Sequence, residues 1–96
     1  YDIALTINAW CFNDSFNFKE KRFKSLIKGY ESLRKLTNNE KKYLSILLRG
    51  ASLRILLTRI HDQIFYEKGA FVTLKNPEEY ISILRFHQNN NIANLL

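Results

Sequence analysis

YLSILLRGASLRILLTRIHDQIF, residues 43–65, is the stretch whose reading decides the fold. Its apolar residues recur at helical spacing in two stripes: Leu44, Leu48, Ala51 and Ile55 on one side, Leu53, Leu57, Ile60 and Ile64 on another. The stripe changes side near Gly50, where glycine costs about 1 kcal/mol relative to alanine inside a helix. Two arrangements fit: a helix that kinks or restarts at Gly50, or one straight helix sandwiched between neighbours on both sides. Both make it the central core helix. Arg49, Arg54, Arg59 and Asp62 interrupt the run too often for it to cross a bilayer.

Ninety-six residues, 46% hydrophobic and 14% aromatic, suffice for one modest core, so residues 1–96 are expected to form a single unit. One proline and three glycines leave little turn chemistry for a strand-rich fold. With long segments of 3.6-residue period, they predict an all-α domain of about four to five helices around residues 43–65. The single Cys11 cannot make an internal disulfide. The apolar N-terminal segment carries Asp2, Asn8 and Trp10 and lacks a basic leader, so a cytoplasmic protein with no membrane contact is expected.

In chain order, residues 2–12 read as a helix apolar nearly all round, with Ile3, Ile7, Trp10 and Cys11 on one side and Leu5 and Phe12 on another, and therefore buried. Residues 13–15 signal a turn, and Asn17 with Glu20 has the form of a capping box opening a second helix over 18–36. That helix places Phe23, Leu26, Ile27, Tyr30 and Leu33 on its apolar face and Lys21, Lys24, Lys28, Glu31 and Lys35 toward solvent. Thr37 and Glu40 form a second capping box, which starts the central helix. Glu67, Lys68 and Gly69 predict a turn, and residues 70–74 a short extended piece. Asn76 as N-cap, Pro77 at the first helical position and Glu78 and Glu79 behind it then start a final helix. Its face carries Tyr80, Ile83, Leu84 and His87; residues 89–91 end it and the last few are expected to fray.

The net charge of +6, with Lys19, Lys21, Arg22, Lys24 and Lys28 on one helix, raises nucleic-acid binding. An ordinary solvated face explains the charge better. Glu20 and Glu31 precede Lys24 and Lys35 by four residues, the aromatics fall with the core, and no nucleic-acid motif accompanies the charge. His61, Asp62 and His87 lack metal-ligand spacing, and a lone cysteine beside a buried tryptophan is usually core, so no metal site is expected. Arg54, Thr58 and His61 lie at i, i+4 and i+7 on one flank of the core helix and invite a polar pocket. Against that stands a plain surface role, with Arg54 and Arg59 paired to acids such as Asp62. No complete catalytic constellation is present.

The sequence has no methionine and begins with Tyr1, which suggests a piece of something longer. YDIALTINAWCF at 1–12, GYESLRKLT at 29–37, LLRGASLRILLTRIHD at 47–62 and LKNPEEYISILRFHQ at 74–88 resemble the C-terminal part of bacterial homoserine kinase. The type meant shares the protein-kinase-like fold of aminoglycoside phosphotransferases and choline kinases. The resemblance is carried by Asn-Ala-Trp-Cys-Phe at 8–12 together with Arg-Gly-Ala-x-Leu-Arg at 49–54, and departs from the family in the Asn-rich tail after Gln88.

The resemblance implies transfer of the ATP γ-phosphate to homoserine, a step of threonine biosynthesis, with magnesium on the phosphates. It also implies that the nucleotide-binding lobe, catalytic loop and metal-binding aspartate lie upstream of Tyr1. This chain is then a C-terminal-lobe fragment expected to be inactive alone, to bind neither ATP nor magnesium by itself, and to need the missing lobe or another chain that supplies it. By the same resemblance Asp2 supports the catalytic loop and is not a catalyst. A homoserine carboxylate needs a cation, for which Arg54 is the first candidate and Arg59 the second, with Asn8 as a further polar contact. The alternative is a small basic helical binding or scaffold module that needs a partner.

Overall fold

The computed structural model describes residues 2–65 and 76–96. Over these the chain is all-α: α1 Asp2–Trp10, α2 Glu20–Glu31, α3 Asn38–Ile64, α4 Glu78–Asn89 and a closing 3₁₀ turn Ile92–Leu95. The turn expected at 67–69 and the extended piece at 70–74 lie outside the described residues.

α3 organises the rest. Its 27 residues make a rod about 40 Å long at ~1.5 Å per residue, close to the molecule's longest extent of 46 Å. The predicted capping box starts it: Thr37 Oγ1 accepts from the Glu40 N–H at 3.1 Å, and Glu40 Oε1 accepts from the Thr37 N–H at 3.0 Å. Arg34 clamps the same carboxylate at 3.0 and 2.7 Å, which pulls the Glu40 carboxyl down to about 2. The helix runs continuously through Gly50, so it does not restart there.

The sandwich is not found either. Leu44, Leu48, Ala51, Ser52 and Leu56 are buried, on the side where α3 meets α1, α4 and the 3₁₀ turn. Leu53, Leu57, Ile60 and Ile64 remain 45%, 56%, 37% and 69% exposed. At 100° per residue the two sets stand on opposite sides of the rod, and the described residues cover only one.

α1 buries a single face. Ala4, Ile7, Asn8 and Cys11 follow i, i+3, i+4, i+7, and Trp10, expected inside, falls off that stripe and is 70% exposed. Beyond α1 the chain doubles back. The Lys19 N–H donates to Cys11 O at 2.7 Å and the Asn13 N–H to Asn17 O at 3.0 Å, so Phe12 and Phe18 pair as an isolated bridge. Asn13 Oδ1 accepts from the Ser15 and Asn17 N–H groups at 3.0 and 2.9 Å, and Phe16 takes φ 63° to close the turn.

Asn17 is thereby committed to the turn and cannot cap α2. That helix begins after Lys19, whose side chain makes no capping bond. α2 also stops at Glu31, short of residue 36, so Leu33 lies past the helical register and is 92% exposed while Leu36 is buried. α4 matches its pattern: Tyr80, Ile83 and His87 are buried, Leu84 is half-buried, and Asn76 Oδ1 accepts from the Glu78 N–H at 2.9 Å across Pro77. The tail is docked, with Asn91 Oδ1 accepting from the Ala93 N–H at 3.0 Å and Ile92 buried.

Candidate functional site

The apolar layer between α1, α3 and α4 holds one polar knot. Asn8 projects from α1 into the seam and is 1% exposed. Its Nδ2 donates to Ser52 Oγ at 3.0 Å and to Leu48 O at 3.3 Å, while the Ser52 hydroxyl donates to Leu48 O at 2.7 Å. On the other side Asn8 Oδ1 meets His87 Nε2 at 2.8 Å. A carboxamide oxygen only accepts, so Nε2 carries the ring proton and Nδ1 is left without a partner among the described residues. Burial drives the imidazole down to about 4, which keeps it neutral near pH 7. The expectation of a partner for Asn8 is met. Ser52 and His87, which supply it, carried no local signal beyond sitting on apolar helix faces.

Arg59 ties α3 to the start of α4. Its Nη1 donates to Glu79 Oε2 at 3.0 Å and to Asn76 O at 3.1 Å, and the guanidinium lies 4.5 Å from the centre of the Tyr80 ring. Its ion partner is therefore Glu79, where a pairing with Asp62 was considered; Asp62 Oδ1 instead lies 3.7 Å from His61 Nδ1. Burial, followed by the neighbouring Glu79 charge, raises the Tyr80 phenol, and Arg59 offsets part of this.

Arg54, Thr58 and His61 share one flank of α3, as their spacing predicts, and all three are exposed. Thr58 Oγ1 donates back to Arg54 O at 3.0 Å, and the His61 ring lies 4.6 Å from Phe65. Asp2 is exposed in the first turn of α1, at the positive end of its dipole.

The chain is similar to homoserine kinases. It is 48% identical to the enzyme of Gluconacetobacter diazotrophicus, 43% to that of Mesorhizobium japonicum and 41% to that of Brucella anthropi, each over 88 residues. These alignments cover 92% of this chain but only 27% or 28% of each relative, so the chain spans little more than a quarter of the curated proteins it matches. No family model matches it.

Other chemistry is sparse. Among the described residues no three His, Cys, Asp or Glu side chains gather where they could hold a metal ion, and no helix is long and apolar enough to cross a membrane. Cys11 is buried, and desolvation pushes its thiol up to about 11, so it stays protonated as a core residue. On α2 the Lys24 ammonium sits 2.9 Å from Glu20, the solvated pairing its spacing predicts.

Proposed function

We propose that this chain is the C-terminal part of a homoserine-kinase-like phosphotransferase on the protein-kinase-like fold, a cytoplasmic enzyme of threonine biosynthesis. The observation that carries this is 41–48% identity to homoserine kinases across 92% of the chain. Among the described residues no three His, Cys, Asp or Glu side chains gather to hold magnesium, and in this reading the metal- and nucleotide-binding groups lie elsewhere in the protein. The remainder of the protein, or another chain that supplies it, contributes those groups. In this reading the chain provides a rigid helical floor and the cation that receives the homoserine carboxylate.

Arg54 is the better of the two arginines for that role. Only 12% of the Arg59 side chain is exposed, where it lies against the Tyr80 ring. Arg54 stands on the exposed flank, where a planar guanidinium can donate two parallel hydrogen bonds to a carboxylate. Asn8 is enclosed, so its contribution is to hold α1 and α4 against α3 and fix the direction of that flank. Asp2, at the entry to α1, accepts backbone N–H groups of the catalytic loop as a positioning residue.

The test is a full-length chimaera in which this chain replaces the matched stretch of the Gluconacetobacter diazotrophicus homoserine kinase. Homoserine-dependent formation of ADP is expected. Arg54→Lys should lower kcat/KM for homoserine about tenfold or more while the KM for ATP stays constant, because only the fork geometry is lost. If Arg54→Lys merely melts earlier, Arg54 is structural and the carboxylate binds elsewhere. Asp2→Asn should lower kcat without lowering Tm; unchanged turnover refutes its supporting role.

A further inference from the structure

The apolar face of α3 that the described residues leave uncovered is a continuous seam. Tyr43, Ile46, Leu53, Leu57, Ile60 and Ile64 are all exposed, by 37% to 69%, and with Gly50 between them they step 3, 4, 3, 4, 3, 4 along the helix. That alternation is the one by which one helix packs lengthwise on another. Gly50 lies within the seam, and a Cβ there would meet no atom within 4 Å, so a crossing helix has room to come close to the backbone. The molecule is also more drawn out than a self-contained domain: its radius of gyration is 14.8 Å, against about 12.5 Å for a compact chain of this length.

The edges of the seam say what covers it. Lys42 and Arg49 line one edge, and both are exposed. Two copies laid seam to seam antiparallel bring these cationic edges together, which disfavours that pairing. We infer that the seam Tyr43 to Ile64 is the docking face for an amphipathic helix, acidic along the edge that meets Lys42 and Arg49, belonging to the rest of the homoserine-kinase-like protein. This rests on the function proposed above, and the length of the relatives leaves ample chain to supply that helix.

The experiment compares the full-length chimaera with the 96-residue chain. Leu57→Glu with Ile60→Glu should lower the chimaera's Tm by on the order of 5 °C or more, yet barely move the Tm of the isolated chain, where both positions already face water. Leu33→Glu, at a 92% exposed position away from the seam, should leave the chimaera unchanged. Arg49→Glu should also destabilise the chimaera, through its acidic partner. If the seam pair melts the chimaera no more than Leu33→Glu does, the inference is overturned even where homoserine kinase activity is intact. If the pair destabilises a chimaera that does not phosphorylate homoserine, the seam stands and the proposed activity falls. Sedimentation that shows a dimer of the isolated chain, dissolved by Leu57→Glu with Ile60→Glu, makes a second copy the occupant and also overturns it.

Discussion

His87 shows how one buried side chain sets a property of the whole chain. Its folded-state value of about 4 lies below the ordinary 6.5 because burial penalises the imidazolium. The unfolded chain therefore binds more protons between those values, and stability falls as pH drops from about 6.5 to about 4, by roughly 3 kcal/mol at ~1.4 kcal/mol per unit. His87→Gln keeps an N–H donor for Asn8 Oδ1 but cannot titrate. Urea midpoints across that pH window should then flatten; an unchanged slope assigns the acid sensitivity to other groups. Asn8 was legible as a residue in need of a partner, since an amide in an apolar helix cannot stay unpaired. Its partners were not, because Ser52 and His87 lie 44 and 79 positions away and local periodicity carries no tertiary pairing.

At the scale of elements, legibility followed how local the determining contacts are. The Thr37–Glu40 box and the Asn76 bond to the Glu78 N–H were readable because every atom involved lies within three residues, although α4 starts at Glu78 after Pro77, one residue later than expected. The supposed cap at Asn17 failed because Asn13, four residues back, claims its N–H and turns the chain first. The two stripes of α3 were correctly separated in sequence, but periodicity cannot say whether a neighbour stands on each. Gly50 marks no break in the helix. Since nothing crowds its position, Gly50→Ala should stabilise the isolated chain by about 0.5–1 kcal/mol, through helix propensity alone. Urea denaturation measures this, and a loss of stability would show that the backbone at Gly50 needs glycine's freedom.

At the scale of the molecule, the chain's core is real but one-sided. Leu44, Leu48, Ala51 and Leu56 join the buried residues of α1, α2 and α4 in one cluster, while Leu53, Leu57, Ile60 and Ile64 on the opposite face of the same helix stand exposed. Phosphoryl transfer consists mostly of placing a nucleotide, its metal ions and a hydroxyl in line among fixed charges. The chain corresponds to 27% or 28% of its relatives' length, and its described residues bring together no acid cluster suited to a metal. The purified 96-residue chain should therefore form no phosphohomoserine from ATP and homoserine, under conditions in which the full-length chimaera does. A substrate cation without the phosphoryl-transfer machinery gives binding at most and no turnover. ATP-dependent phosphohomoserine formation by the isolated chain, abolished by Arg54→Lys, would mean that these helices hold a complete active site and that the division of labour proposed here is wrong.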